Sequence, residues 1–122
     1  MLNHVGFGIS NFAHSKRFYV AALAPLGFSI LAEGADWAMI GKGGAGRLWF
    51  GIHTTIAKPV HVAFTAESRA EVDAFHAAAL GGGGHDNGGP GIRALYHAHY
   101  YAAFVLDPDG HNIEAVCKPQ DA

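Results

Sequence analysis

The chain of 122 residues has little of what usually declares a function outright. It has one cysteine, Cys117, so no internal disulfide forms and a reducing cytoplasm is the expected setting. Only 15% of its residues are charged, for a formal net charge of −2. That balance leaves no basic footprint for nucleic acid or an anionic membrane. No apolar run approaches the ~20 residues needed to span a bilayer, and the first residues lack the basic-then-apolar layout of a secretory signal. The KGGAG stretch at 42–46 lacks the spacing and terminal Lys-Ser/Thr of a phosphate-binding loop. No serine, histidine and acid fall into a nucleophile-elbow pattern.

What is abundant is apolar surface, glycine and histidine. Half of the residues are hydrophobic, enough for one compact domain with a real core. The 17 glycines imply tight turns and close backbone approaches, and the 9 histidines are candidate ligands or acid/base groups.

The strongest organisational signal is an internal repeat. HVGFGISNFAHSKRFYVAAL, from His4 to Leu23, lies over HVAFTAESRAEVDAFHAAAL, from His61 to Leu80, with eight of twenty positions identical. Each copy reads as a strand and then a helix. Val5, Phe7 and Ile9 alternate with His4, Gly6 and Gly8, and Val60, Val62 and Phe64 alternate with His61, Ala63 and Thr65. Asn11 caps the first helix, whose apolar face carries Ser15, Phe18, Tyr19, Ala22 and Leu23 until Pro25 and Gly27 end it. Ser68 and Glu71 form a capping box for the second. Further strands are expected at 28–32, 37–41 and 47–52, then at 95–99, 101–106 and 112–117, the last two flanking a DPDG turn. The result is an α+β fold: two tandem βαβββ modules, about 1–58 and 59–118, in one domain of residues 1–122. They are expected to form a curved mixed sheet around a cleft, with helices packed outside.

His4 and His61 hold matching positions on the faces opposite the apolar residues. Glu114 sits in an apolar strand with Asn112 and Val116 on its face, where a carboxylate is costly unless it is paired or bound to metal. Two imidazoles and a carboxylate make a triad suited to Fe(II), Mn(II) or Zn(II). The loop of glycines from Gly81 to Gly91 reads as mobile. Beyond it Arg93, Tyr96, His97, His99, Tyr100 and Tyr101 are candidates for a lid and wall that clamp substrate and move protons. Cys117 faces the apolar side of its strand and reads as a buried thiol.

The opening NHVGFGISNFAHSKRFY, the repeat opening PVHVAF and the closing FVLDPDGHNIEAV resemble the vicinal oxygen chelate family, which includes glyoxalase I, extradiol dioxygenases and bleomycin resistance proteins. The resemblance covers nearly the whole chain. It implies metal ligands on the first and last strands of each module, which by position are His4, His61 and Glu114. The fourth slot falls near the middle of RLWFGI, and counting from the turn glycines lands on Phe50 beside Trp49, neither of them a ligand. That departs from the four-ligand glyoxalase I pattern. Phe104 stands where the dioxygenases carry a tyrosine, which argues against ring cleavage.

The implied activity is a lyase- or isomerase-like enzyme that uses a divalent metal (Zn, Fe(II), Mn or Ni) on a small oxygen-chelating substrate. Glu114, His99 and Tyr101 would be its catalytic groups, and Trp49, Phe50, Arg93, His97 and Tyr96 would contact substrate. The alternatives are a metal-free binding protein of the bleomycin-resistance kind and, less favoured, an extradiol Fe(II) dioxygenase. The resemblance also implies a homodimer, while the single cysteine and the charge balance point to a cytoplasmic setting with no nucleic-acid or membrane partner.

Overall fold

The structure is a computed structural model, and it describes residues 3–43, 46–52 and 59–118. Lys58, at the expected module boundary, and Gly44 and Ala45 of the KGGAG stretch lie outside the described residues. The first module runs β1 (His4–Ile9), α1 (Phe12–Leu23), a 3₁₀ turn (Ala24–Leu26), β2 (Ser29–Glu33), β3 (Trp37–Gly41) and β4 (Arg47–Ile52). The second runs β5 (His61–Thr65), α2 (Arg69–Gly81), two-residue strands β6 (His85–Asp86) and β7 (Gly91–Ile92), β8 (Tyr101–Leu106) and β9 (Asn112–Cys117). No described helix is long and apolar enough to cross a membrane.

Each module forms its own mixed sheet, in the order β1-β4-β3-β2 and β5-β9-β8-β6, with β7 also on β8. β1 pairs parallel with β4 and β5 parallel with β9, and the remaining pairs are antiparallel. The expected two-module mixed β-structure is thus built as one sheet per module, with β1 and β5 at their edges among the described residues.

The repeat is written into the core. Phe18 and Phe75, and Ala22 and Ala79, are equivalent pairs that are fully buried where α1 and α2 pack together. Both caps form at equivalent positions: Asn11 accepts from the His14 amide at 3.0 Å and Ser68 from the Glu71 amide at 3.2 Å. The return arm of the capping box is shifted by one, because Glu71 accepts from the Glu67 amide and not that of Ser68. Helix termination also agrees with the sequence, with Gly27 left-handed at φ 87° after the Pro25 turn.

The modules also grip each other symmetrically. Ser10, just past β1, donates to Asp109 in the β8–β9 turn. Its repeat equivalent Glu67, just past β5, pairs with Lys42 in the β3–β4 turn at 3.2 Å. The DPDG turn is fastened to α1 as well. Buried Asp107 accepts from the Tyr19 hydroxyl at 2.5 Å and from the amides of Asp109 and His111.

Two expectations fail in the second module. Residues 95–99 are a run of turns, held by amide bonds from Tyr96 and His97 to the Arg93 carbonyl and from Tyr100 to that of His97. The glycine segment is not a free loop either. Gly81 closes α2, β6 and β7 hang on β8, and Gly84 sits so tightly that a Cβ there would come within 2.5 Å of Phe18 and Val105. Glycine is needed here for close packing, which a reading based on propensity takes for looseness.

Candidate functional site

Register decides which side chains share a face. In the second module His61 pairs with Asn112 and Ala63 with Glu114, so His61 and Glu114 sit diagonally on adjacent parallel strands, facing away from the helices. They touch: His61 Nε2 lies 2.8 Å from Glu114 Oε1. Glu114 is almost fully buried, whereas His61 is half-exposed. The other carboxylate oxygen accepts from the Tyr100 hydroxyl. Loss of solvent first, then the hydrogen bond and negative charge of Glu114, push the Tyr100 hydroxyl up to about 12. Glu114 is thus a buried carboxylate with a partner on each oxygen, one of them an imidazole open to solvent.

Tyr100, expected only as one of several groups of a wall beyond the glycine segment, stands at the site itself, at the boundary of a strand that does not form. Tyr101, which was, turns the opposite way. It pairs with Cys117, donates to Asp73 of α2 at 2.6 Å and lies under the Arg69 guanidinium, on the helix side of the sheet. A shift of one residue along a strand exchanges the faces. Phe104 lies directly across from Glu114, so the ring without a hydroxyl is at the site and Tyr100 brings a hydroxyl from the adjoining turn.

The same arithmetic corrects the first module. His4 pairs with Arg47 and Gly6 with Trp49, so Trp49, not Phe50, is the counterpart of Glu114. Phe50 is fully buried against Tyr19 and Phe12 and cannot line a cleft. The Trp49 indole lies along the sheet over glycines: a Cβ at Gly51 would meet its ring at 2.5 Å and one at Gly6 at 3.3 Å. An apolar plate stands at the position equivalent to Glu114.

The remaining expected residues divide. Arg93 spends its guanidinium on the carbonyls of Gly91 and Gly89, at 2.9 and 2.7 Å, with its plane near the Phe104 ring, so it ties down the glycine segment beside the site. Tyr96 is exposed and rests against Tyr100. His97 and His99 lie in the exposed turns, where the His99 amide donates to His97 Nδ1 at 3.0 Å. His111 is buried against Phe7 and accepts from the Val60 amide, which makes it part of the core. Cys117 is buried, as expected.

His4 is the exposed first residue of the other sheet, bonded to Asn3, and lines a cavity whose walls include neither His61 nor Glu114. Among the described residues no three His, Cys, Asp or Glu gather into a group able to hold a metal ion. The donor chemistry of His61 and Glu114 suits a divalent metal and their atoms meet. The third expected donor is not with them in the single chain.

A family model, the Glyoxalase/Bleomycin resistance protein/Dioxygenase superfamily, matches residues 1–115. The chain belongs to this superfamily. No curated protein matches it. Among solved structures it is similar to a glyoxalase/bleomycin resistance protein from Albidiferax ferrireducens T118, with 30% identity, a TM-score of 0.84, and coverage of 98% of this chain and 99% of that one. A glyoxalase-related enzyme from Fulvimarina pelagi shares the fold at 17% identity and TM-score 0.78, covering 98% and 88%. So does a glyoxalase/bleomycin resistance protein/dioxygenase family enzyme from Burkholderia phytofirmans PsJN, at 14% identity and TM-score 0.76, covering 96% and 98%. Superfamily and fold match the reading of the two repeat openings and the DPDG strand.

Proposed function

We propose that the chain is a divalent-metal-dependent enzyme of the vicinal oxygen chelate kind, acting on a small substrate with two neighbouring oxygens, and that its site is completed between two copies. The observation that carries the proposal is the 2.8 Å meeting of His61 Nε2 and Glu114 Oε1 on one open face. These would be two of the ligands, and His4 of a second copy would be the third. A metal held there would act as a Lewis acid toward developing oxygen charge. Tyr100 holds the free oxygen of Glu114, fixing the carboxylate and keeping a proton beside the site. Trp49 would offer an apolar wall in place of a fourth ligand. Arg93, by bonding the glycine segment, keeps that rim closed over Phe104.

Metal analysis of protein purified without affinity-resin metal tests the reading. About one equivalent per chain is expected, lost in both His61→Ala and Glu114→Gln. Less than about a tenth of an equivalent, unchanged by either substitution, overturns it.

One observation favours a second reading, a metal-free binding protein: both Glu114 oxygens already have partners inside the chain. That reading expects a ligand-dependent thermal shift that persists in chelator and survives Glu114→Gln.

A further inference from the structure

We propose that the cavity between the two modules binds a small monocarboxylate with an apolar body, and that Arg47 holds its carboxylate. This site is separate from the His61–Glu114 pair and does not depend on a metal there.

The cavity, of about 510 Å³, opens between the edge strands β1 and β5 and is bounded by residues of both sheets. That volume falls in the range of small-molecule pockets. Its apolar walls are Val5, Phe28, Leu48, Val62 and Phe64, with the rings of Phe28 and Phe64 packed edge to face, centroids 5.4 Å apart. A cavity with such walls takes up an apolar group readily.

The charges on its wall do not cancel. Lys42 is paired with Glu67. The Arg47 side chain has no hydrogen-bond, ion-pair or ring partner among the described residues, and its Nε is buried with nothing to donate to. A buried Nε–H without an acceptor is unfavourable, and the rest of the part-exposed side chain lines the cavity. Local structure holds it there. Arg47 pairs across the sheet with Gly41, where a Cβ would lie 3.0 Å from the Arg47 Cγ, so only glycine leaves the stem its course over β3.

A guanidinium without a protein partner at one end and aliphatic and aromatic walls elsewhere are complementary to a carboxylate on a hydrophobic body. A neutral apolar ligand would leave the guanidinium unpaired. A dianion would carry its second charge into an apolar wall. Both are poorer fits.

The test titrates 2-naphthoate and octanoate, and the neutral 2-naphthalenemethanol, into chelator-treated protein and into Arg47→Gln and Arg47→Lys, by calorimetry. At least one carboxylate should bind about tenfold or more tighter than the neutral probe. Arg47→Gln should remove that preference while leaving the neutral probe's affinity unchanged, which shows the cavity intact, and Arg47→Lys should keep part of it. Glu114→Gln, which abolishes the proposed metal site, should change nothing. Neither carboxylate binding at millimolar concentration, or Arg47→Gln binding them as well as the parent, overturns the inference. A dissociation constant that weakens with protein concentration would mean that a second copy fills the cavity, which also overturns it.

Discussion

Tyr100 and Tyr101 are neighbours with opposite roles, and the difference is only the pleat. Tyr100 donates to Glu114, whereas Tyr101 donates to Asp73 on the helix side. A hydrogen-bond partner of a metal-ligating carboxylate typically matters about 10–100-fold in metal affinity. Tyr100→Phe is therefore expected to weaken metal binding by that order and Tyr101→Phe to leave it unchanged, measured by competition with a coloured chelator. Tyr19 is a third case. Burial first, then the charge and hydrogen bond of Asp107, hold its hydroxyl well above the ordinary tyrosine range. A folded value above the unfolded one contributes stability in full below about pH 10, lost as pH climbs beyond it. Phenolate absorbance should show one of the four tyrosines silent until the chain unfolds in alkali. Tyr19→Phe should cost about 2 kcal/mol in a denaturant titration. The duplication made His61 legible as a residue to watch, and the cost of a carboxylate in an apolar strand did the same for Glu114. Tyr100 was legible as one of several candidates but not as the partner of Glu114, because its position depends on a turn whose amides close on the Arg93 and His97 carbonyls, and such a turn leaves no periodic trace in the sequence.

At the level of elements, strands, helices and caps could be read from alternation and capping residues because those signals are local. Two things could not. One was the register of β1 on β4, which moves the fourth-ligand slot from Phe50 to Trp49. The two turns are equally long, but Gly46 immediately precedes β4 whereas Gly110 stands two residues before β9, so counting from them misses by one. The other was the glycine run, in which four adjacent glycines have different reasons for being there. Gly84 is pressed against Phe18 and Val105, so Gly84→Ala should cost about 1–3 kcal/mol through overpacking. Gly81 ends α2 with nothing near its Cβ position, so Gly81→Ala should stabilise by about 0.5–1 kcal/mol. Thermal or urea unfolding separates the two signs. Equal effects at both positions would show that the run is the mobile loop its composition implies.

For the molecule as a whole, the two modules are related by exchange: Ser10, after β1, reaches the second module's turn, and Glu67, after β5, reaches the first module's. Within one chain that arrangement leaves His4 on the wall of the intermodule cavity and His61 with Glu114 on the open face of the other sheet. Neither half is a complete metal site. The most direct measurement is metal content after two inactive variants, His4→Ala and His61→Ala, are unfolded together, mixed in equal amounts and refolded. If sites form between copies, a mixed dimer regains one intact site of its two, so the mixture should recover about a quarter of the parent's metal while each variant alone recovers none. No recovery in the mixture, with the parent protein binding metal normally, would contradict the account.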